Sequence, residues 1–224
     1  MAVGGEGLVG HPMTDADFLA DVDPALAEVP DTAREPRPVV LGRRAPGAAP
    51  TVDAGALRQV FRRHAAGVAV VTLTGPAGPV GFTATSVTSL SAAPPLLSLS
   101  LSATSSSAPA MLAAETLVVH LLSSDHEEIA RRFATSGVDR FAPPVRWRTL
   151  PTGEPVLSDA AVWLRARIEH RIAAGESYLV VAEVVDSRID RTDEPLLYHD
   201  GRYGTISEAL ARNEAPGSDP APEG

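Results

Sequence analysis

The stretch VAVVTLTGPAGPVGFTATSVTSLSAAPPLLSLSLS, residues 68–102, decides the fold. Val68 to Leu73 is a short, nearly continuous apolar run bounded by a turn signal, the pattern of a buried strand. Gly75-Pro76 and Gly78-Pro79 mark that turn, so the strand beginning at Val80 pairs back as a hairpin. Pro94-Pro95 ends an irregular piece. From Leu96 to Ser102 the period is two: Leu97, Leu99 and Leu101 share one face, and Ser98, Ser100 and Ser102 share the other.

Working outward, the flanks add more strands and a few short helices. Upstream, Asp53 is placed to cap a helix whose Leu57, Val60, Phe61 and His64 fall on one face, with Gly67 as its stop. Downstream, Ser107 is placed to cap a short helix through Met111 and Leu112, and Thr116 to Leu122 reads as a strand. Ser124 and Glu127 have capping-box spacing for a helix that ends near Phe133. Residues 137–155 read as loop. Val162, Leu164, Ala166, Ile168 and Ile172 then alternate with Trp163, Arg165, Arg167, Glu169 and Arg171 in a long strand. Tyr178 to Ile189 is a second long strand, with Gly175 in the turn between. At least six strands with a few helices predict a mainly β barrel or sandwich with helices at its ends.

Composition bounds the chemistry. The 224 residues contain neither Cys nor Lys, which excludes disulfides, thiolate metal sites, a Cys nucleophile, Schiff-base chemistry and a Walker A loop. The formal charge is −9, of which residues 1–50 and 207–224 carry −7. The near-neutral middle has no basic stripe, which argues against nucleic acid or an anionic membrane as partner. No apolar run reaches the length of a membrane helix. The opening MAVGGEGLVGH lacks the basic flank and apolar segment of a signal peptide, so the expected location is the cytoplasm. Residues 1–50 and 207–224 are expected to be disordered extensions of a 51–206 body.

Within the body, residues 81–91 carry six hydroxyl side chains in eleven positions, beside a strand whose polar face is all Ser. Hydroxyls and free backbone groups donate and accept without charge, which suits a flavin ring edge or a ribityl chain. The alternative is that they fill a sheet surface and a turn. The run Thr104-Ser105-Ser106-Ser107 precedes a helix start, where free N–H groups attract phosphate. The six His (His11, His64, His120, His126, His170 and His199) show no metal-ligand spacing, and His170 reads as a satisfied core residue on a strand. Glu127 and Glu128 with Arg131 and Arg132 read as a solvated helix face with i,i+4 pairs. There is no Gly-rich βαβ turn and no Gly-x-Ser-x-Gly elbow, so the chemistry is expected to belong to a bound cofactor.

A string of motifs from Leu57 to Ile206 resembles the flavin reductase-like family with an FMN-binding split barrel. This family includes the small reductase components of two-component flavin monooxygenases. The matching pieces are Phe61-Arg62-Arg63-His64 through Thr72, Gly81-Phe82-Thr83-Ala84-Thr85-Ser86 through Ser89, Pro94-Pro95-Leu96, Ala130-Arg131-Arg132-Phe133-Ala134, Asp139-Arg140-Phe141, and Pro195 through Tyr203.

The resemblance implies a Greek-key-like six-stranded barrel, a homodimer, and a flavin groove near the interface. It implies that Thr83, Ala84, Thr85, Ser86 and Ser89 border the isoalloxazine. It places Ser100, Ser102, Ser105 and Ser107 near the ribityl and phosphate. It puts Phe141 close to the ring, with a plain packing residue as the alternative. The implied activity is NAD(P)H:flavin oxidoreduction, with FMN or FAD reduced by NADH or NADPH and passed to a separate monooxygenase. The competing reading is a split-barrel protein that keeps its flavin as an electron carrier. That reading draws on one departure: where the family often has Gly-Asp-His, this chain has Gly175-Glu176-Ser177, with Ser177 at the position of the imidazole. Hydride transfer needs positioning more than an acid or base, so the departure bears on nicotinamide binding.

Overall fold

The computed structural model describes residues 51–207. The expectations for residues 1–50 and 208–224 lie outside the described residues. A short helix α1 (Ala54–Phe61) leads into β1 (Ala66–Gly67), β2 (Ala69–Gly75), β3 (Gly78–Ala84), β4 (Thr88–Ala92) and β5 (Pro95–Ser102). Then follow α2 (Ala108–Ala113), β6 (Thr116–Leu121), a 3-10 turn (Ser124–His126), α3 (Glu127–Ala134), β7 (Trp147–Thr149) and β8 (Pro155–Leu157). Two long strands, β9 (Val162–Ala174) and β10 (Ser177–Ile189), precede the small strands β11 (Leu197–His199) and β12 (Arg202–Gly204).

The main sheet is antiparallel with order β3-β2-β6-β9-β10-β5-β4. The mainly β expectation holds, with seven strands in this sheet instead of six. The extra one is β4, in the stretch read as irregular; it turns through Ala93 and Pro94 and pairs with β5. The sheet curls so that the chain leaving β3 meets β5. There the Ser86 Oγ accepts the Ser100 N–H at 2.9 Å and donates to the Ser100 carbonyl at 3.2 Å.

The curl wraps one apolar cluster that takes Val71 and Leu73 from β2, Leu97, Leu99 and Leu101 from β5, Leu117 and Val119 from β6, and Met111 from α2. The opposite face of β2 gives Val70 to a second cluster with Phe133, Phe141 and Leu196. Burial on both faces is why the Val68–Leu73 run does not alternate. Trp163, assigned by alternation to the polar face of β9, is buried against Val118, Leu150 and Val156 under the β7–β8 hairpin. That hairpin begins inside the 137–155 stretch read as loop and its second strand runs on to Leu157.

The same hairpin seals a polar cluster. His120 on β6 is fully buried: its Nε2 accepts the Leu157 N–H at 3.0 Å, so its Nδ1 carries the proton and donates to the Val70 carbonyl at 3.0 Å. Burial holds the imidazole pKa down at about 4, and the Val70 carbonyl only partly opposes it. Glu154, 2% exposed, takes hydrogen bonds from Arg165, Thr116 and Thr152. Burial raises its pKa, but those three donors outweigh it and hold the carboxyl at about 2.

Other local readings shift. The first helix stops at Phe61 and not at Gly67, because Ala66 and Gly67 pair with β11. The capping box lies one residue earlier than expected, on Ser123 with His126 at its third position. His170 is exposed on β9, opposite Val181 in the register, so it is not a core residue. Arg131 pairs with Glu127, but Arg132 turns to the Asp139 and Pro143 carbonyls and not to Glu128.

Candidate active site

Where β3 and β5 end, their last residues and the Thr104–Ser107 turn face the C-terminal end of α3. Between them is a groove of about 450 Å³. Thr83, Ala84, Thr85 and Ser86 form one wall, and Ser100, Ser102, Thr104 and Ser105 another. Phe133, Ala134, Ser136 and Arg140 close the third side. Seven of the residues singled out from the sequence are therefore brought together: Thr83, Ala84, Thr85, Ser86, Ser100, Ser102 and Ser105.

Three others lie off the wall. Ser89 is exposed on β4, opposite Leu97 in the register. Phe141 is 8% exposed and packs edge-on against Phe133 and Trp147, with centroids 5.2 Å and 5.3 Å away, so it supports the groove from beneath through Phe133. Ser107 is fully buried and makes no side-chain cap for α2. Its Oγ instead donates to the Gly81 carbonyl at 3.4 Å and accepts from Arg140, while its N–H goes to the Ser105 Oγ at 3.2 Å. With only six residues in α2, the helix start is a weak source of positive potential.

The positive charge comes from Arg140, which the composition gave no reason to single out. It lies far along the chain from both hydroxyl walls, and only the fold brings it in. Its Nη1 donates to the Gly81 carbonyl at 2.8 Å and to the Ser107 Oγ at 3.2 Å, and its Nε and Nη2 donate to the Thr135 carbonyl at 3.1 and 2.9 Å. Burial lowers its pKa, but a guanidinium stays charged at neutral pH. Gly81 also leaves room for the Phe133 ring that closes the groove. A Cβ there would stand 2.6 Å from the Phe133 ring and 3.0 Å from the Val71 carbonyl.

The groove thus offers uncharged hydroxyls and backbone groups along its walls, one fixed cation, and no carboxylate. That donor set fits a flavin: ring edge and ribityl on the hydroxyls, phosphate on Arg140. Ser177, at the position of the absent imidazole, pairs with Ser102 in the register, and the Glu176 carbonyl accepts the Ala103 N–H at 2.9 Å. The Gly175 turn therefore borders the groove.

Known proteins similar to this chain identify its family. The family model for the flavin reductase like domain matches residues 61–207. The NADH:FMN oxidoreductase of Rhodococcus erythropolis is 47% identical over 156 residues, covering 68% of this chain and 81% of that protein. A crystal structure of a flavin reductase domain protein from Arthrobacter sp. FB24 is similar at TM-score 0.64 and 42% identity, covering 67% of this chain and 94% of that one. The structure of BorF, the flavin reductase component of a bacterial two-component tryptophan halogenase, is similar at TM-score 0.63 and 26% identity, covering 69% of this chain and 98% of that one. On sequence, fold and groove together, this chain belongs to the flavin reductase like family.

Proposed function

We propose that this protein oxidises NADH and reduces FMN, taking the hydride and one proton into the flavin and releasing NAD⁺. The observation that carries the reading is the hydroxyl-lined groove with Arg140 as its one cation. Flavin in the groove supplies the hydride acceptor, its N5. The chain's own residues bind and position. Thr85 and Ser102 offer hydroxyls to the ring edge and ribityl, Thr83 can only accept there because its hydroxyl donates to the Ala130 carbonyl at 2.6 Å, and Arg140 holds the phosphate. Many modest contacts suit a flavin that must leave as product. FAD is the second candidate, and NADPH the second donor. Because hydride transfer depends on approach geometry and not on an acid or base, Ser177 in place of an imidazole is compatible with turnover.

Two further parts belong to this reading. The reduced flavin goes to a separate monooxygenase, a reading supported by the similarity to BorF, the reductase component of a two-component system. The molecule is a homodimer of the cytoplasm; Leu57 (49% exposed), Val60 (68%) and Phe61 (63%) on α1 are apolar surface of the sort a second copy covers.

The test is anaerobic NADH oxidation with catalytic protein and excess FMN or FAD. Many turnovers per protein molecule are expected. Stoichiometric flavin binding with no turnover would overturn the reductase reading and leave the electron carrier.

A further inference from the structure

We propose that Ser107 is a positioning residue for the flavin phosphate: from behind the groove it fixes which protons of Arg140 and Ser105 are left for the ligand. This rests on the flavin reading of the groove given above. Ser107 is fully buried, so its hydroxyl acts through its neighbours and not on the ligand.

Most of the Arg140 donors are already engaged. A guanidinium has five N–H donors in a fixed fork. The Arg140 Nε gives its proton to the Thr135 carbonyl at 3.1 Å, and Nη2 gives one to the same oxygen at 2.9 Å. Nη1 gives one to the Gly81 carbonyl at 2.8 Å and the other to the Ser107 Oγ at 3.2 Å. Four of the five are held within the protein, and one on Nη2 remains. Arg140 therefore meets a phosphate as a fixed charge with a single donor, and not as a two-pronged clamp. Remove the Ser107 oxygen, and the Nη1 edge keeps one anchor. The N–H so released points at the place of a buried side chain and gains no ligand contact.

A phosphate held by one N–H needs further donors, and the same residue prepares one. The Ser107 N–H donates to the Ser105 Oγ at 3.2 Å, which fills an acceptor site on that oxygen. The Ser105 hydroxyl proton has no partner among the described residues, and Ser105 lines the groove. That proton is free for a phosphate oxygen. The Ser102 and Thr104 hydroxyls, 2.9 Å apart, share one proton and leave the other. The opposite wall differs. Thr83 donates to the Ala130 carbonyl at 2.6 Å and Ser86 to the Ser100 carbonyl at 3.2 Å, so both present only lone pairs. Free protons thus gather on the Ser102–Ser105 side, which Ser107 joins to Arg140. An anion belongs there.

Ser107 is the joint between the three sides of the groove. Its hydroxyl reaches Gly81 on β3 and Arg140 beyond α3, and its N–H reaches Ser105 in the turn after β5. It sets the spacing between a cation and a hydroxyl that must meet the same phosphate. Donors held in place before the ligand arrives lose little freedom on binding.

The experiment titrates the full chain, by fluorescence, with FMN and with riboflavin, which lacks the phosphate. It compares the unchanged protein with Ser107→Ala, Ser105→Ala, Arg140→Gln and the double variant Ser107→Ala/Arg140→Gln. We expect Ser107→Ala and Ser105→Ala each to bind FMN about three- to tenfold more weakly, with riboflavin affinity kept within about twofold. Once Arg140 is Gln, Ser107→Ala should cost no further FMN affinity, because the cation it places is gone. An equal fall for both flavins in Ser107→Ala would overturn the assignment by making Ser107 a packing residue. Unchanged FMN affinity would overturn it too, as would losses that simply add in the double variant. If Ser107→Ala did not fold, the half-buried Ser105 would decide. A loss of FMN with riboflavin kept in Ser105→Ala upholds the proton assignment, and equal FMN affinity overturns it. An unchanged protein that bound FMN no better than riboflavin would overturn the assignment without touching turnover. The expected selectivity, in a protein that oxidises no NADH, would uphold it and sink the reductase reading instead.

Discussion

The polar cluster under the β7–β8 hairpin and the groove beside β3 and β5 are both built from polar side chains, and they use them in opposite ways. Under the hairpin, His120 and Glu154 are almost wholly buried and every hydrogen bond they need comes from the chain. In the groove, Thr85, Ser86, Ser100 and Ser102 are exposed. Polar groups closed in and satisfied hold the sheet to its cover. Polar groups left open are available to a ligand. Substitutions in the first region should therefore change stability and spare flavin affinity, and those in the second should do the reverse.

The largest effect is expected at Arg165. Replacing it by Met leaves the buried Glu154 carboxylate without its cation, which should cost about 3–5 kcal/mol. Chemical denaturation measures this. Flavin affinity of the folded fraction should match that of the unchanged protein, and a parallel loss would erase the contrast between the regions.

His120 gives the same region a pH signature. Its folded pKa of about 4 lies below the unfolded value near 6.5, so the unfolded chain binds the proton first. Stability is complete above pH 6.5 and falls as pH drops from there towards 4, by roughly 3 kcal/mol over the window. Unfolding titrations at several pH values should show that slope in the unchanged protein and a flatter one in His120→Gln.

These two regions were unequally legible in the sequence. The groove hydroxyls could be read, because residues 81–91 and the Ser face of β5 stand out locally and the period of two fixes which residues share a side. The hairpin cluster could not. Glu154 and His120 are 34 positions apart and neither neighbourhood has a period, so only the fold brings them under one cover. Arg140 failed for the same reason. Ser107 and Phe141 lie off the groove wall for another reason: a sequence shows that a hydroxyl or a ring is present, and not whether a neighbouring backbone carbonyl or aromatic ring has already claimed it. β4 was missed because its Thr88–Ala92 residues are exposed or only partly buried and carry no apolar alternation.

Arg140 is a groove residue expected to act on both sides of the comparison. Arg140→Gln should weaken FMN binding about tenfold to a hundredfold, the range for losing charge-assisted bonds to phosphate. Fluorescence titration reads it. Riboflavin, with no phosphate, separates the two roles: its affinity should fall far less. An equal fall for both ligands would mean that Arg140 matters only by holding the Gly81 and Thr135 carbonyls in place.

The smallest effect, and the finest test of the boundary, comes from three serines changed to Leu. Ser102 lines the groove, and its Oγ bonds only the neighbouring Thr104, so Ser102→Leu should lower flavin affinity several-fold, about 1 kcal/mol, with unfolding unchanged. Ser89 sits on exposed β4 away from the groove, so Ser89→Leu should change neither quantity. Ser86 belongs to both regions in kind. It lines the groove, yet its Oγ both accepts from and donates to the Ser100 backbone and so ties the exit of β3 to β5. Ser86→Leu should therefore lose flavin affinity and about 1–2 kcal/mol of stability together. If Ser102→Leu proved as destabilising as Ser86→Leu, the hydroxyls on this side would be structural after all, and the division between satisfied and available polar groups would not pass through this groove.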